Sequence, residues 1–451
     1  MSKYKFYTII LCISIIQVCN AQNQKWSLEK CISYAKENNL QLKQLSYDAE
    51  IAGINLNTTK NAYLPEINAG ASQKYNLDRT VNPYTHAYSN GNNYVGNLSV
   101  NAGVDIFQGF QRKYNVQKSE FTLNAVLMDI EEAKNNLSLN IASVFLEILY
   151  YDELIKSNLA QLNESKHQVG MANEVVNSGI KTVSYLYDFL TQMAQDSANL
   201  VIAKNKYQSG LIDLIQLLDI ESIVGFEIEK PASLQLVKTN IGTVDDYVTI
   251  ASSTLPQLKS AKFRLNSAES NLKYIQGNKY PSLSFVTYFG TNYSSNSSLY
   301  NATNEAINYP YFNQLNDNIN MYFGLNLSIP VFNKFNVRNS VSLAKINKSK
   351  AAVNIDIVQQ QIYKEVQKAY YDLSAAREKM MSIKALFDAT TLSYNYTNEK
   401  LKAGVISVYD YSAMKTKFSQ VTSDYLQSKY EYIFKMKILD FYTGTPITLE
   451  N

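Results

Sequence analysis

The chain has 451 residues, 46% of them hydrophobic and 18% charged, with a formal net charge of +3. That length can bury a large core, and the near-neutral balance argues against nucleic acid as a partner. Two histidines and three cysteines offer no metal-ligand spacing. With no nucleophile–base pairing or glycine-rich phosphate loop visible, neither an enzyme nor a cofactor is expected.

The N-terminus reads as a secretory signal over residues 1–21. Lys3 and Lys5 give the basic start, Thr8 to Val18 a short apolar run, and Cys19-Asn20-Ala21 a cleavable end. Lipidation of Cys19 is the alternative, against which stands the bulk of Val18. Cleavage would leave Cys31 as the one thiol, on an apolar helix face with Leu28, Ile32 and Ala35, where it reads as a small hydrophobe.

Helical periodicity starts at Ser27, a capping residue, and continues to about Ala62. Leu64-Pro65 stops it, because the residue before proline is pushed to extended geometry. Alternation over Ile67, Ala69 and Ala71 predicts a strand. Asp78 to Asn93 reads as a polar loop, and Tyr94 to Phe107 as a second strand with one oily side, carrying Tyr94, Leu98, Val100, Ala102, Val104 and Ile106. From Phe110 to about Val176 the period is helical without a proline, a run of roughly 100 Å at 1.5 Å per residue. Gly179 ends it, and a further helix is expected from Val183 to about Leu218. Residues 221–245 are irregular and read as a connection.

The pattern then repeats: a helix from about Asp245 to Gln276, the Tyr280-Pro281 step, a strand from Ser282 to Tyr293, a polar loop from Ser294 to Asp317, and an alternating strand from Ile319 to Val331. A second long helix follows over about Asn336 to Lys402, then Gly404, then a helix from Val408 to about Tyr442. Gly179-Ile180-Lys181-Thr182-Val183 returns as Gly404-Val405-Ile406-Ser407-Val408, an offset of 404 − 179 = 225. The expected organisation is therefore two internal repeats. Repeat 1 covers 22–220 with a β-hairpin at 66–107; 221–245 links it to repeat 2 at 246–443, with a hairpin at 282–332; a tail occupies 444–451.

Strands with one apolar and one polar face fit a membrane barrel. Four strands cannot close one, and an open sheet edge in lipid leaves backbone groups unpaired. Several chains would have to share a barrel, and three would supply twelve strands under cyclic symmetry. A small soluble sheet with the apolar face as core fits the alternation as well.

In the order and duplication of these landmarks the chain resembles the TolC family of outer-membrane efflux proteins. The landmarks are the Trp26-Ser27-Leu28…Cys31…Ala35…Asn38-Asn39 opening, Tyr63-Leu64-Pro65 and Tyr280-Pro281, the strand ends Asp105-Ile106-Phe107-Gln108-Gly109 and Pro330-Val331-Phe332, and the two glycine turns. The resemblance implies a mainly α protein with a membrane β part: a long α-helical barrel in the periplasm and a trimer-shared, 12-stranded β-barrel in the outer membrane, four strands per chain. Residues 221–245 and the C-terminal end would form an equatorial belt. The function implied is a passive exit duct of a tripartite exporter, partnered by a periplasmic adaptor, an inner-membrane pump and outer-membrane lipid; a periplasmic coiled-coil adaptor or spacer is the alternative. By position, Gly179, Ile180, Lys181, Thr182, Val183 and Ser184, with Gly404, Val405, Ile406, Ser407, Val408 and Tyr409, would be adaptor-docking tip turns. Each also reads as an ordinary helix–helix turn with glycine at the left-handed position. Asp410 aligns with an acidic ring residue of the family's channel constriction, and reads equally as a solvated residue of a helix start. Ala413 replaces a second acidic position, while Leu401 and Ile406 stand where well-known members carry a tyrosine and an arginine that tie the gate. Tyr409 and Tyr411 are expected to supply aromatic bulk there instead.

Overall fold

The computed structural model describes residues 25–81, 88–231, 242–300, 302–303 and 305–449. The expected signal segment lies outside the described residues. The elements, in order, are α1 (Leu28–Asn38), α2 (Leu40–Asn61), β1 (Glu66–Val81), β2 (Tyr88–Gln108), α3 (Gln111–Asn177), α4 (Val183–Leu218), α5 (Val244–Thr254), α6 (Pro256–Gly277), β3 (Ser282–Ser294), β4 (Ser298–Tyr300), β5 (Ala306–Asn308), α7 (Tyr311–Asp317), β6 (Asn320–Ser328), α8 (Asn336–Lys402) and α9 (Val408–Tyr442).

The two long helices, α3 and α8, have 67 residues each and begin and end 225 positions apart. Elsewhere the elements depart from the expected spans. The helix expected from Ser27 to Ala62 is broken at Asn39. Its Oδ1 accepts from the N–H groups of Gln41 (3.0 Å) and Leu42 (3.2 Å), so Asn39 ends α1 and caps α2. The helix expected from Asp245 to Gln276 is broken at Leu255, where Pro256 opens α6 at the position that needs no N–H. The polar stretch 78–93 is largely strand: β1 runs to Val81 and β2 starts at Tyr88, because the two pair in unbroken register from Glu66↔Gly103 to Val81↔Tyr88. The loop expected over 294–317 contains the β4–β5 pair and α7.

The chain folds as two compact units that cut across the repeats. One unit comprises residues 1–47, 127–259 and 356–451. Its core gathers Leu28, Cys31 and Ala35 of α1, Ile141, Phe145 and Ile148 of α3, Leu211, Leu214 and Leu218 of α4, and Ile433 of α9. Burial pushes the Cys31 thiol up to about 12, which keeps it an inert apolar filler. The irregular connection contributes Phe226 and Ile228, and Trp26 is bridged to Ile228 through backbone bonds of 2.8 Å on either side.

The other unit comprises residues 48–126 and 260–355. It holds an antiparallel sheet in the order β1-β2-β3-β6, leaving β1 and β6 as edges. A bulge between Asp105 and Phe107 shifts the register of β2 on β3 at the helix-bearing end. There Arg112 clamps the strand-to-helix joint, bonding the Asp105 carboxylate at 2.9 Å and its carbonyl oxygen at 2.6 Å. Gly109 is left-handed at this joint, and a Cβ on it would meet the Gly277 carbonyl oxygen at 2.4 Å.

Candidate functional site: the helix-turn tips and the two-faced sheet

Both glycine turns are Schellman caps built alike. Gly179 N–H donates to Val176 O (2.9 Å) and Ile180 N–H to Val175 O (3.1 Å); Gly404 N–H donates to Leu401 O (2.9 Å) and Val405 N–H to Lys400 O (3.0 Å). The glycine φ angles are +75° and +72°. No atom lies within 4 Å of a Cβ built on either, so the left-handed backbone alone demands glycine. The starts of the following helices differ. Ser407 Oγ accepts from Asp410 N–H at 3.1 Å, whereas Thr182 makes no side-chain cap bond.

Residues 179 to 184 are all exposed, as are Gly404, Val405, Ser407 and Tyr409; Ile406 is half-buried and Val408 buried. Ile180, Val405 and Tyr409 leave 70–80% of their surface open, which puts apolar side chains on the outside of both turns. Lys181 lies 5.7 Å over the Tyr185 ring. Asp410 is exposed and accepts from Ser407 Oγ at 2.7 Å, which ties it to the start of its own helix.

Residues flanking the two turns share one small core. Ala172, Phe189, Tyr394, Val408 and Tyr411 form it, with Leu186, Leu401 and Ile406 packed against it. This corrects the expectation for Tyr411. Its side chain is fully buried, so it cannot supply bulk to a channel; Tyr409 is the exposed one of the pair. Leu401 and Ile406 pack against the same core, an apolar joint in line with the departure from the family's polar tie noted in the sequence.

Two polar networks under the turns went unseen in the sequence. The Tyr411 hydroxyl meets Gln168 Nε2, the Tyr394 hydroxyl (3.0 Å) and Glu164 Oε1 (3.3 Å), while Tyr394 donates to Glu164 Oε2 at 2.7 Å. Burial pushes Tyr411 up to about 12, and burial together with the Glu164 carboxylate drives Tyr394 higher still. One turn further along α9, buried Lys415 bonds Asp196 Oδ2 (2.7 Å), Ser165 Oγ and Gln161 O (3.2 Å), and Gln192 completes the carboxylate at 3.0 Å. Lys415 lies more than 200 residues from Asp196, Ser165 and Gln161, as do the two tyrosines from Glu164 and Gln168, so no local spacing announces these contacts. The visible signal is a lysine on the Val408–Tyr411–Lys415 stripe, where apolar periodicity calls for a hydrophobe.

The sheet has two chemically distinct faces, and the register carries them across all four strands. Ala69 pairs with Val100 and Val100 with Phe289; Phe285 pairs with Val104 and Leu325. Ile67, Leu98, Phe323 and Leu327 share that face by alternation. Asn68 pairs with Asn101, Asn101 with Tyr288 and Tyr288 with Tyr322 on the other face. The apolar side is open rather than a core: Ile67, Phe323 and Leu325 are each about two-thirds exposed. A soluble sheet would need this side covered, and at these three residues it is open.

A sequence profile of the outer membrane efflux protein family matches residues 31–219 and 250–445, most of the chain and one segment per repeat. The chain belongs to the outer membrane efflux protein family. Among its relatives, the outer membrane efflux protein BepC of Brucella suis is 19% identical over 83% of this chain and 76% of its own. The outer membrane protein TolC of Salmonella enteritidis is 18% identical over 94% and 83%. The CmeC outer membrane channel of Campylobacter jejuni shares the fold with a TM-score of 0.77, covering 95% of this chain and 87% of its own at 18% identity.

This efflux protein thus has the family's fold, a helical barrel with a β-barrel, and is an exit duct of tripartite efflux systems in the outer membrane of Gram-negative bacteria. The family consists of channel proteins that work as trimers. Among the described residues no helix is long and apolar enough to cross a membrane.

Proposed function

We propose that three copies of this chain close a twelve-stranded barrel, each adding β1 and β6 edges to its neighbours, and that the two glycine turns dock a periplasmic adaptor belonging to an inner-membrane pump. Cargo passes through without chemistry. The observation that supports docking is the matched pair of Schellman turns carrying exposed Ile180, Val405 and Tyr409. Helix turns of fixed geometry with open apolar side chains are what a helical hairpin of a partner can grip. Trimer closure is supported by the edge strands, since an unpaired row of backbone groups in hydrocarbon costs several kcal/mol per group.

Asp410 is assigned to the channel constriction. Three exposed carboxylates around a symmetry axis would form an anionic ring of the kind that favours cations. The test for docking is photo-crosslinking from Ile180 and Val405 in cells that carry the exporter. Capture of the adaptor at both positions is expected, with loss of export but not of the unheated trimer in Gly404→Pro. Crosslinks that arise from residues 298–317 instead would invert the proposed orientation. For the ring, Asp410→Asn should lower cation selectivity of the reconstituted channel; unchanged selectivity removes the assignment.

A further inference from the structure

The repeats differ in length at one place. From Pro65 to Gln111 is 46 positions, from Pro281 to Asn336 is 55, so repeat 2 is 9 residues longer across its hairpin. On either side of the hairpins the helices match in length, 11 and 22 residues before and 67 after. The surplus enters the segment between β3 and β6, which contains α7.

That segment folds back onto β3. Thr291 Oγ1 donates to Leu315 O (2.6 Å), Ser294 N–H to Gln314 Oε1 (3.0 Å) and Asn318 Nδ2 to Asn292 O (2.9 Å). Gln314 is buried, with its Nε2 on Tyr309 O at 2.8 Å, and the Tyr311 ring stands edge-on to Tyr293 at 4.7 Å. The register says which face this is. Thr291 lies opposite Leu98 and Tyr293 opposite Gly96, on the same side as Phe285 and Phe289. α7 therefore rests on the apolar face of the sheet, at the end away from the strand-to-helix joint.

β3 has 13 residues, and a tilted strand crosses hydrocarbon in about 9–11. The residues that hold α7 are its last four, so they fall at the far boundary of the apolar band. Phe312 is 80% exposed, and Tyr300 and Tyr311 are also open. Residues 294–320 contain no lysine or arginine, with Glu305 and Asp317 as the charged residues. Amphipathic aromatics without cations suit the headgroup level of a bilayer by insertion, not by charge attraction.

We propose that α7 is an interfacial anchor, seated on the outer face of β3 with Phe312 and Tyr311 inserted at the headgroup level of the outer leaflet. It continues the lipid-facing band, and rests on the reading that this band meets lipid. The test places a reporter at Phe312, an open position that tolerates a larger ring. Phe312→Trp and, as a control in the band, Leu325→Trp are made with Trp26→Phe, which removes the chain's single tryptophan. If that background does not assemble, Trp26 is kept and the parent emission subtracted. In phosphatidylcholine vesicles, emission from Phe312→Trp should shift to the blue and be lost more to lipids brominated near the headgroup than near the chain end; Leu325→Trp should show the reverse preference. Water-like, unquenched emission from Phe312→Trp means α7 projects into solvent. Blue-shifted but unquenched emission means it packs on a neighbouring copy. Either result overturns the anchor, whereas an unquenched Leu325→Trp overturns the lipid-facing band itself.

Discussion

Lys415 Nζ and Asp196 Oδ2 lie 2.7 Å apart with both side chains buried, joining α9 to α4 across 219 residues of sequence. Every oxygen of the carboxylate has a donor, from Lys415, Ser165 or Gln192. Such a pair is a weak source of net stability but a severe one to break, because removing one charge strands the other away from water. It therefore fixes which faces of the tip helices meet.

Lys415→Met should lower helical stability by about 3–5 kcal/mol, the usual cost of an orphaned buried charge. Lys415→Met combined with Asp196→Leu should recover most of that loss. Thermal unfolding followed by circular dichroism in detergent checks both. Equal damage in the single and double variants would mean that packing, not charge, holds the site.

The two turns offer an internal comparison of capping. Ser407→Ala removes a bond to Asp410 N–H and should cost the start of α9 about 1 kcal/mol. Thr182→Ala removes no cap bond and should leave α4 unchanged. Hydrogen exchange at the first turn of each helix reads the difference, and equal protection losses would contradict the geometry.

Alkaline pH should loosen the tip. The Tyr411 pKa is raised by burial to about 12, against about 10 for an unfolded tyrosine. The unfolded chain thus releases its proton first. The contribution of Tyr411 to stability is full below about pH 10 and is lost as pH rises towards 12. Tyr394, raised in the same direction, adds to the slope. Unfolding midpoints measured across this window should fall, and fall less steeply in Tyr411→Phe.

Adjacent positions on β6 should respond oppositely to the same charge. Leu325 lies on the apolar face opposite Phe285, and Asn326 on the polar face opposite Ser284. An arginine at a lipid-facing barrel position costs roughly 2–4 kcal/mol near the midplane and little on the lumen side. Leu325→Arg should reduce the yield of unheated trimer, and Asn326→Arg should not. A similar yield from both would place the membrane elsewhere.

Much of this architecture was legible in one dimension. The 225-residue offset announced the duplication, and the glycine turns, long helices and alternating strands followed from periodicities that backbone geometry imposes on any sequence. Helix breaks at Asn39 and Leu255-Pro256 were legible in principle, since an asparagine cap and a proline at a first helical position are local signals. They were overridden by an apolar stripe that continues through both.

Three matters were decided only by tertiary structure. Pairing register extended β1 and β2 through polar residues that read as loop, because a ladder partner outweighs side-chain preference. Burial turned Tyr411 from an expected channel residue into a core anchor. Distant partners neutralised Lys415 and satisfied the hydroxyls of Tyr394 and Tyr411. Local propensity depends on neighbours within a turn or a strand, which the sequence carries. Desolvation and charge pairing depend on which groups meet in space, and that is set only when the chain has folded.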